Sequence, residues 1–208
     1  MRLTVDTLSV PGPSGRGDLL VGPTSFVAEP GEVTVVASDP GVPITALALA
    51  LGGAVTLAAG SVDLWGSTDP RVLQKHVALV DVEGITAPED ALSVRAVVQE
   101  QLALARQGSR RRDVQRLLDA HDVRDHSLRW DHVPAGTRTD ILLELATRRP
   151  ATQVIVLAGP DRHGGEARDW YAAAQRTAAD VFTVVVLCSA DSATHIHASH
   201  TARTGAAA

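Results

Sequence analysis

The chain has 208 residues, 45% of them hydrophobic but only 3% aromatic, and a formal net charge of −5. That length allows one sizeable α/β domain with a core of Val, Leu, Ile and Ala. The acidic balance excludes nucleic acid as the main partner, because neutralising phosphates needs a basic surface. Cys188 is the lone cysteine, which excludes a disulfide framework within the chain and fits a reducing compartment. The first residues lack a charged-then-apolar signal pattern, and no apolar run reaches membrane-spanning length. The sequence therefore predicts a cytoplasmic protein. Lys75 is the only lysine, so every other fixed cation is arginine.

In chain order, Arg2 to Val10 alternates apolar Leu3, Val5, Leu8 and Val10 with polar residues, which predicts a strand. The turn PGPSGRGD carries a near-copy of a phosphate loop, but Asp18 stands where a lysine belongs and a strand-like stretch follows. Arg16-Gly17-Asp18 within it spells a cell-adhesion tripeptide by chance. Pro30-Gly31-Glu32 turns into an apolar strand at Val33–Ala37, followed by a tight loop and an Ala/Leu helix that Gly52-Gly53 stops. Strands are predicted between Gly60 and Gly66, at Val77–Val82, Val154–Ala158 and Thr183–Cys188. Helices are predicted from Ser93 to about Arg106, from Arg110 to Ala120, from Thr139 to near Pro150, and from Glu166 to Ala179. Strands separated by helices predict a mostly parallel sheet flanked by helices. Residues 191–208 are small and polar, and are predicted to be a disordered tail.

Strand, glycine loop and helix at Val33–Gly53 is the way a phosphate-binding loop is built. Laid over GxxGxGK[ST], the chain reads Ser38, Asp39, Pro40, Gly41, Val42, Pro43, Ile44, Thr45. The lysine position is Ile44. A lysine on the β- and γ-phosphates makes charge-assisted hydrogen bonds of about 1.5–3 kcal/mol each, and Ile44 makes none. Pro43 has no N–H to donate, and Asp39 adds a negative charge. Ser38, Gly41 and Thr45 keep residue types that suit a phosphate and its Mg²⁺. By themselves these residues fit an ordinary βα turn in an α/β core better than a phosphate site.

The order of several local matches resembles the nucleotide-binding subunit of an ABC transporter over roughly residues 2–190. They are SFVAEPGEVTVVASDPG…LALALGG, GSVDLWG, HVALVDV, LSVRAVVQEQL, AGTRTDILLELATRRPATQVIVLAGPD and TVVVLCSAD. The resemblance implies a P-loop NTPase-like α/β fold with a reduced helical subdomain around residues 85–140. It also implies that the positions doing chemistry in the family are replaced. The glutamine that reaches Mg²⁺ and the attacking water falls at about Val82. The signature motif falls at Val133-Pro134-Ala135-Gly136-Thr137. The metal-holding Asp and the basic Glu fall at Ala158 and Gly159, and the switch histidine at Ser189 or Ala190. No adenine-stacking aromatic lies in Leu8–Leu20, and the family's last strands are missing.

Phosphoryl transfer needs a cation on the phosphates, a held metal and an ordered water. The implied protein is a degenerate cassette without catalytic residues, metal or cofactor, acting by association with an active ABC ATPase subunit or a membrane permease. It would form a homo- or heterodimer, with a peripheral place on the cytoplasmic face of a membrane. The alternative is a module that keeps weak ATP or ADP binding through the amides around Gly41, with arginines from elsewhere replacing the lysine.

Other clusters read as structural. His195, His197 and His200 form H-x-H-x-x-H in the predicted tail, and His121, His126 and His132 flank Asp122, Asp125 and Asp131 as pairing partners. Ser189, Asp191 and His195 lack the elbow of a hydrolase nucleophile. Trp130 and Trp170 read as core or interface anchors.

Overall fold

The computed structural model describes residues 1–14, 17–196, 198 and 200–205. An antiparallel sheet opens the chain: β1 (Leu3–Pro11) lies between β2 (Leu19–Ala28) and β4 (Ala59–Leu64), in the order β2-β1-β4. β1 is bulged between Val5 and Leu8, with Thr7 at φ 46°. Gly60, the first glycine of GSVDLWG, packs against this bulge. A Cβ there would sit 2.4 Å from backbone atoms of Asp6 and Thr7, so only glycine fits.

The second sheet has the order β5-β6-β7-β3-β8, with every pairing parallel. Its strands are β3 (Val33–Ala37), β5 (Val77–Val80), β6 (Val154–Ala158), β7 (Thr183–Cys188) and β8 (His200–Arg203). All residues of β3, β6 and β7 are buried. Continuous apolar runs of this kind are what a strand covered on both faces requires. The period of two then splits each strand. Val154, Val156, Val185 and Leu187 face one core, and Ile155, Leu157, Val184 and Val186 face the other.

α1 (Val42–Leu51) fills the first core, between the antiparallel sheet and one face of the parallel sheet. It is apolar nearly all round because both sides are covered. α2 (Pro70–His76) starts on an Asp69 cap that accepts from Arg71 N at 2.9 Å. The second core holds α3 (Val94–Leu104), α4 (Arg111–Ala120), α5 (Ala135–Thr147) and α6 (Ala167–Ala179). Ser93 caps α3 by accepting from Ala96 N. Val94, Val97, Val98, Leu102 and Ala105 are buried, as their spacing predicts. The helical stretch around 85–140 thus shares one core with the sheet. Trp130 and Trp170 lie within that core, 0% and 3% exposed.

The predicted disordered tail is corrected. Ala190–Thr194 forms α7, capped by Ser189, and β8 adds a strand beside β3. β8 is a half-exposed edge, so its stability comes from ladder bonds to Thr34–Ala37 and from His200 against Glu32 at 2.8 Å rather than from apolar residues. A strand therefore does follow the switch position. Residues 206–208 lie outside the described residues, as do Gly15 and Arg16 of the decoy loop and His197 of the histidine cluster. Among the described residues no helix is long and apolar enough to cross a membrane.

α4 is joined to α5 by His121, whose Nε2 lies 2.7 Å from Glu144 Oε2, while Arg148 donates to the other carboxylate oxygen. The hydrogen bond to His121 first, then Arg148, holds the Glu144 carboxyl below its ordinary range despite partial burial. A carboxylate with a lowered folded pKa stabilises the fold above its unfolded value near 4.3 and loses that contribution as pH falls through the folded value. Glu144→Gln is therefore expected to be less stable than wild type at pH 7 in urea unfolding, with the gap closing below about pH 4. A gap unchanged by pH would contradict this pairing.

Candidate functional site

The carboxyl ends of β3, β5, β6 and β7 come together at the N-terminus of α1, the usual place for a ligand in a parallel α/β sheet. A cavity of about 270 Å³ lies there, just under the ~300 Å³ low end of ligand pockets. Gly41 and Thr45 line it. Ser38 lies beneath, 5% exposed and outside the lining. Its N–H donates to Cys188 O at 2.9 Å, and its Oγ has no hydrogen-bond partner.

The loop turns sharply into α1. Gly41 caps α1 at φ 81°, ψ −128°, a backbone that favours glycine. Few amides are left to donate. Thr45 N is spent on Gly41 O at 3.2 Å, and Pro43 in the first turn has no N–H. Ile44 is 6% exposed and packs into the core shared with α1, its methyl 4.0 Å from the Cβ position of Gly159.

Across the cavity, β6 ends at Ala158, and Gly159 turns left-handed at φ 59° into a short 3-10 segment, Pro160–His163. From this segment Arg162 reaches back. Its Nη1 donates to Ala158 O at 2.7 Å and Gly159 O at 3.1 Å, and its Nη2 to Asp81 Oδ1 at 2.7 Å. His163 Nε2 lies 2.9 Å from Asp81 Oδ2. Asp81, directly after β5, is 3% exposed and itself left-handed at φ 60°. A carboxylate so deeply buried needs its charge paired and hydrogen-bonded, and these two side chains do that.

The remaining charged groups of the lining are acids. Glu83 is exposed, and Asp161 Oδ2 accepts from Ser189 N at 3.0 Å and Ser192 Oγ at 2.8 Å. Asp161 thereby braces the start of α7, and Ser189 serves as its cap rather than as a nucleophile. Burial first, and Asp161 second, push the Cys188 thiol up to about 12, so it stays protonated as a packing residue.

Val133–Thr137 lies at the start of α5, where Pro134 caps without a side-chain bond. Arg138 is buried there, 5.2 Å over the ring of Trp130 and 3.1 Å from Asp90. Among the described residues no cluster of His, Cys, Asp and Glu is placed to hold a metal ion. His121 pairs with Glu144 rather than with the flanking Asp122.

No protein-family model matches the sequence, and no curated protein matches it. Solved structures do match. A protein described as an ABC transporter ATP-binding protein from Pyrococcus furiosus superposes with TM-score 0.67 at 15% identity, covering 98% of this chain and 97% of that one. The ATP-binding subunit of an ABC transporter matches with TM-score 0.66 at 14% identity, over 100% and 90% of the two chains. A nucleotide-free ATP-binding cassette from an ABC transporter gives TM-score 0.67 at 12% identity, over 100% and 91%.

The fold is that of an ATP-binding cassette.

On this fold Ile44 takes a place in the core, and the segment after β6 contributes an arginine to the cavity. The predicted sites reached Gly41 and Thr45 but missed Arg162, Asp81, His163 and Glu83. One signal was present: Asp81 is an acid interrupting an apolar strand, and Arg162-His163 is a basic pair just beyond another. Asp81→Asn keeps a residue type that tolerates the left-handed turn and removes the charge that Arg162 pairs and His163 hydrogen-bonds. It is expected to lose about 3 kcal/mol in urea unfolding; a loss below about 1 kcal/mol would show that the ion pair carries little. Ile44→Ala is expected to cost about 2–5 kcal/mol as a core truncation, and a near-neutral result would place Ile44 outside the core.

Proposed function

We propose that the chain is a catalytically inactive cassette-type subunit that acts by associating with an active ABC ATPase subunit or a membrane permease. The observation that carries this reading is Arg162. It is the cation in the lining of the cavity before Gly41, and its guanidinium is committed to Asp81 and to the carbonyls of Ala158 and Gly159. The other charges lining the cavity are Glu83 and Asp161, which repel a triphosphate. No carboxylate stands at Ala158 or Gly159 to hold Mg²⁺, and Ile44 offers no charge to the phosphates. The lining does not fit ATP with its metal, so no reaction step is assigned to it. Two of the matching structures are described as ATP-binding proteins or subunits of ABC transporters, which supports a place in such an assembly.

Association has a surface to use. Ile85, Leu92 and Leu104 are 57%, 37% and 64% exposed along a groove of about 350 Å³ between β5, α3 and α5. Apolar side chains clustered on a surface mark interaction sites. A partner subunit presenting an apolar segment would cover them.

A second reading, weak nucleotide binding without efficient hydrolysis, is favoured by the glycine-type turn at Gly41 and the helix N-terminus beside it. Thermal unfolding with Mg-ATP separates the two. A ligand at a hundred times its dissociation constant adds about 2.7 kcal/mol. With millimolar Mg-ATP we expect no shift in Tm and no phosphate release. A clear shift supports the second reading, and steady release abolished by Thr45→Ala overturns the first. In pull-downs from native membranes, Ile85→Glu with Leu104→Glu is expected to lose transporter subunits that wild type retains; retention by the variant would remove the groove from the proposal.

A further inference from the structure

A second cavity, of about 440 Å³, opens on the helical side and shares no lining residue with the first. Its walls are the start of α3, the first half of α4 and the loop 124–127. The loop is pinned to α3: Val94 N donates to Leu128 O at 2.8 Å, and Arg95 N to His126 O at 3.3 Å. α4 is fixed from below by the buried Val114, Leu117 and Leu118. The side chains around the opening therefore stand on ordered backbone.

Three guanidinium groups line it: Arg95, Arg111 and Arg124. Among the described residues none of the three has an acid within 4 Å or donates to another side chain, whereas Arg129, Arg148 and Arg176 pair with Asp131, Glu144 and Asp140. The carboxylate in the lining, Asp125, is turned to its own loop. It accepts from Ser127 N at 2.9 Å and from Ser127 Oγ at 2.6 Å, bonds that hold its pKa below the ordinary range. Three arginines without an acid partner among the described residues thus line one concavity in a chain whose net charge is −5. Like charges held together repel, and a multivalent anion relieves that repulsion.

We propose that this cavity binds a small phosphate-bearing anion, a monoester or diphosphate, supplied either by a soluble metabolite or by a lipid headgroup. The planar fork of a guanidinium matches phosphate oxygens two at a time, and the Gln115 amide adds a neutral donor from the same wall. Val114 is the apolar residue of the lining. An acidic peptide, whose flanking side chains need apolar anchors, suits it less.

The test is calorimetric titration of the full chain with inorganic pyrophosphate at low salt, alongside sedimentation with phosphatidylcholine vesicles with and without phosphatidic acid. Arg95→Ala/Arg124→Ala is the site variant, and Arg71→Ala/Arg106→Ala is the control, since these arginines are also exposed and unpaired. Each lost charge-assisted bond weakens binding by roughly tenfold or more. Saturable binding that the site variant weakens at least that much and the control keeps supports the proposal. Binding of pyrophosphate alone then assigns a soluble ligand, and binding of phosphatidic acid vesicles alone a headgroup. No binding of either probe, equal loss in both variants, retention by the site variant while it unfolds at the wild-type temperature, or tighter binding of an oligoglutamate peptide overturns it.

Discussion

The guanidinium of Arg162 ties together the ends of two neighbouring strands. One nitrogen holds the last carbonyls of β6, and the other holds the buried carboxylate just past β5, 81 positions earlier in the chain. Both strands turn left-handed at this point, at Gly159 and at Asp81. A buried Asp81 without the Arg162 guanidinium would cost several kcal/mol, so the two turns and the ion pair stand or fall together. Their union decides what the neighbouring cavity contains. The arginine is turned inward to the protein, while the acids Glu83 and Asp161 line the space in front of α1. The charge of Arg162 is thus balanced by Asp81, and the lining in front of α1 is left acidic.

The joint between Arg162 and Asp81 sits on a frame that does not depend on it. The buried residues of β3, β6 and β7 are Val, Ile, Leu and Ala apart from Thr34, Thr183 and Cys188, and α1 is wedged between two sheets by the same kind of aliphatic side chain. Such a core is indifferent to which residues line the carboxyl ends of the strands. This is the physical reason a fold persists while its sites change. It also explains how a chain only 12–15% identical to known cassettes superposes on them over nearly its whole length. The helical stretch belongs to the same frame, because Trp130, Val97 and Leu118 share one core with Ile155 and Val184.

Much of this frame is legible in the residues. Continuous apolar runs marked the buried strands, Ser93 marked its helix start, and Gly60 and Gly66 bracketed β4. Three elements were hidden, α2, α7 and β8; α7 is five residues long and buries none of them. α2 is seven residues long with one buried side chain, too short to show a period, although Asp69-Pro70 is a start signal. β8 is an edge strand made of His, Thr, Ala and Arg, held by backbone bonds that no pattern of side chains announces. At the site, the loop glycine and Thr45 could be read from spacing. Arg162 could not, because its partner is supplied by tertiary pairing of β5 with β6. Arg95, Arg111 and Arg124 are likewise far apart in sequence and line one opening only where α3, α4 and the following loop meet.

The most direct measurement is a crystal structure of the chain grown in excess Mg-ATP. If the joint is as described, Arg162 remains bonded to Asp81 and to the carbonyls of Ala158 and Gly159, and the space before Gly41 holds no nucleotide. A triphosphate seated against Gly41 and Thr45 with magnesium, and Arg162 swung away from Asp81 to meet it, would contradict the account.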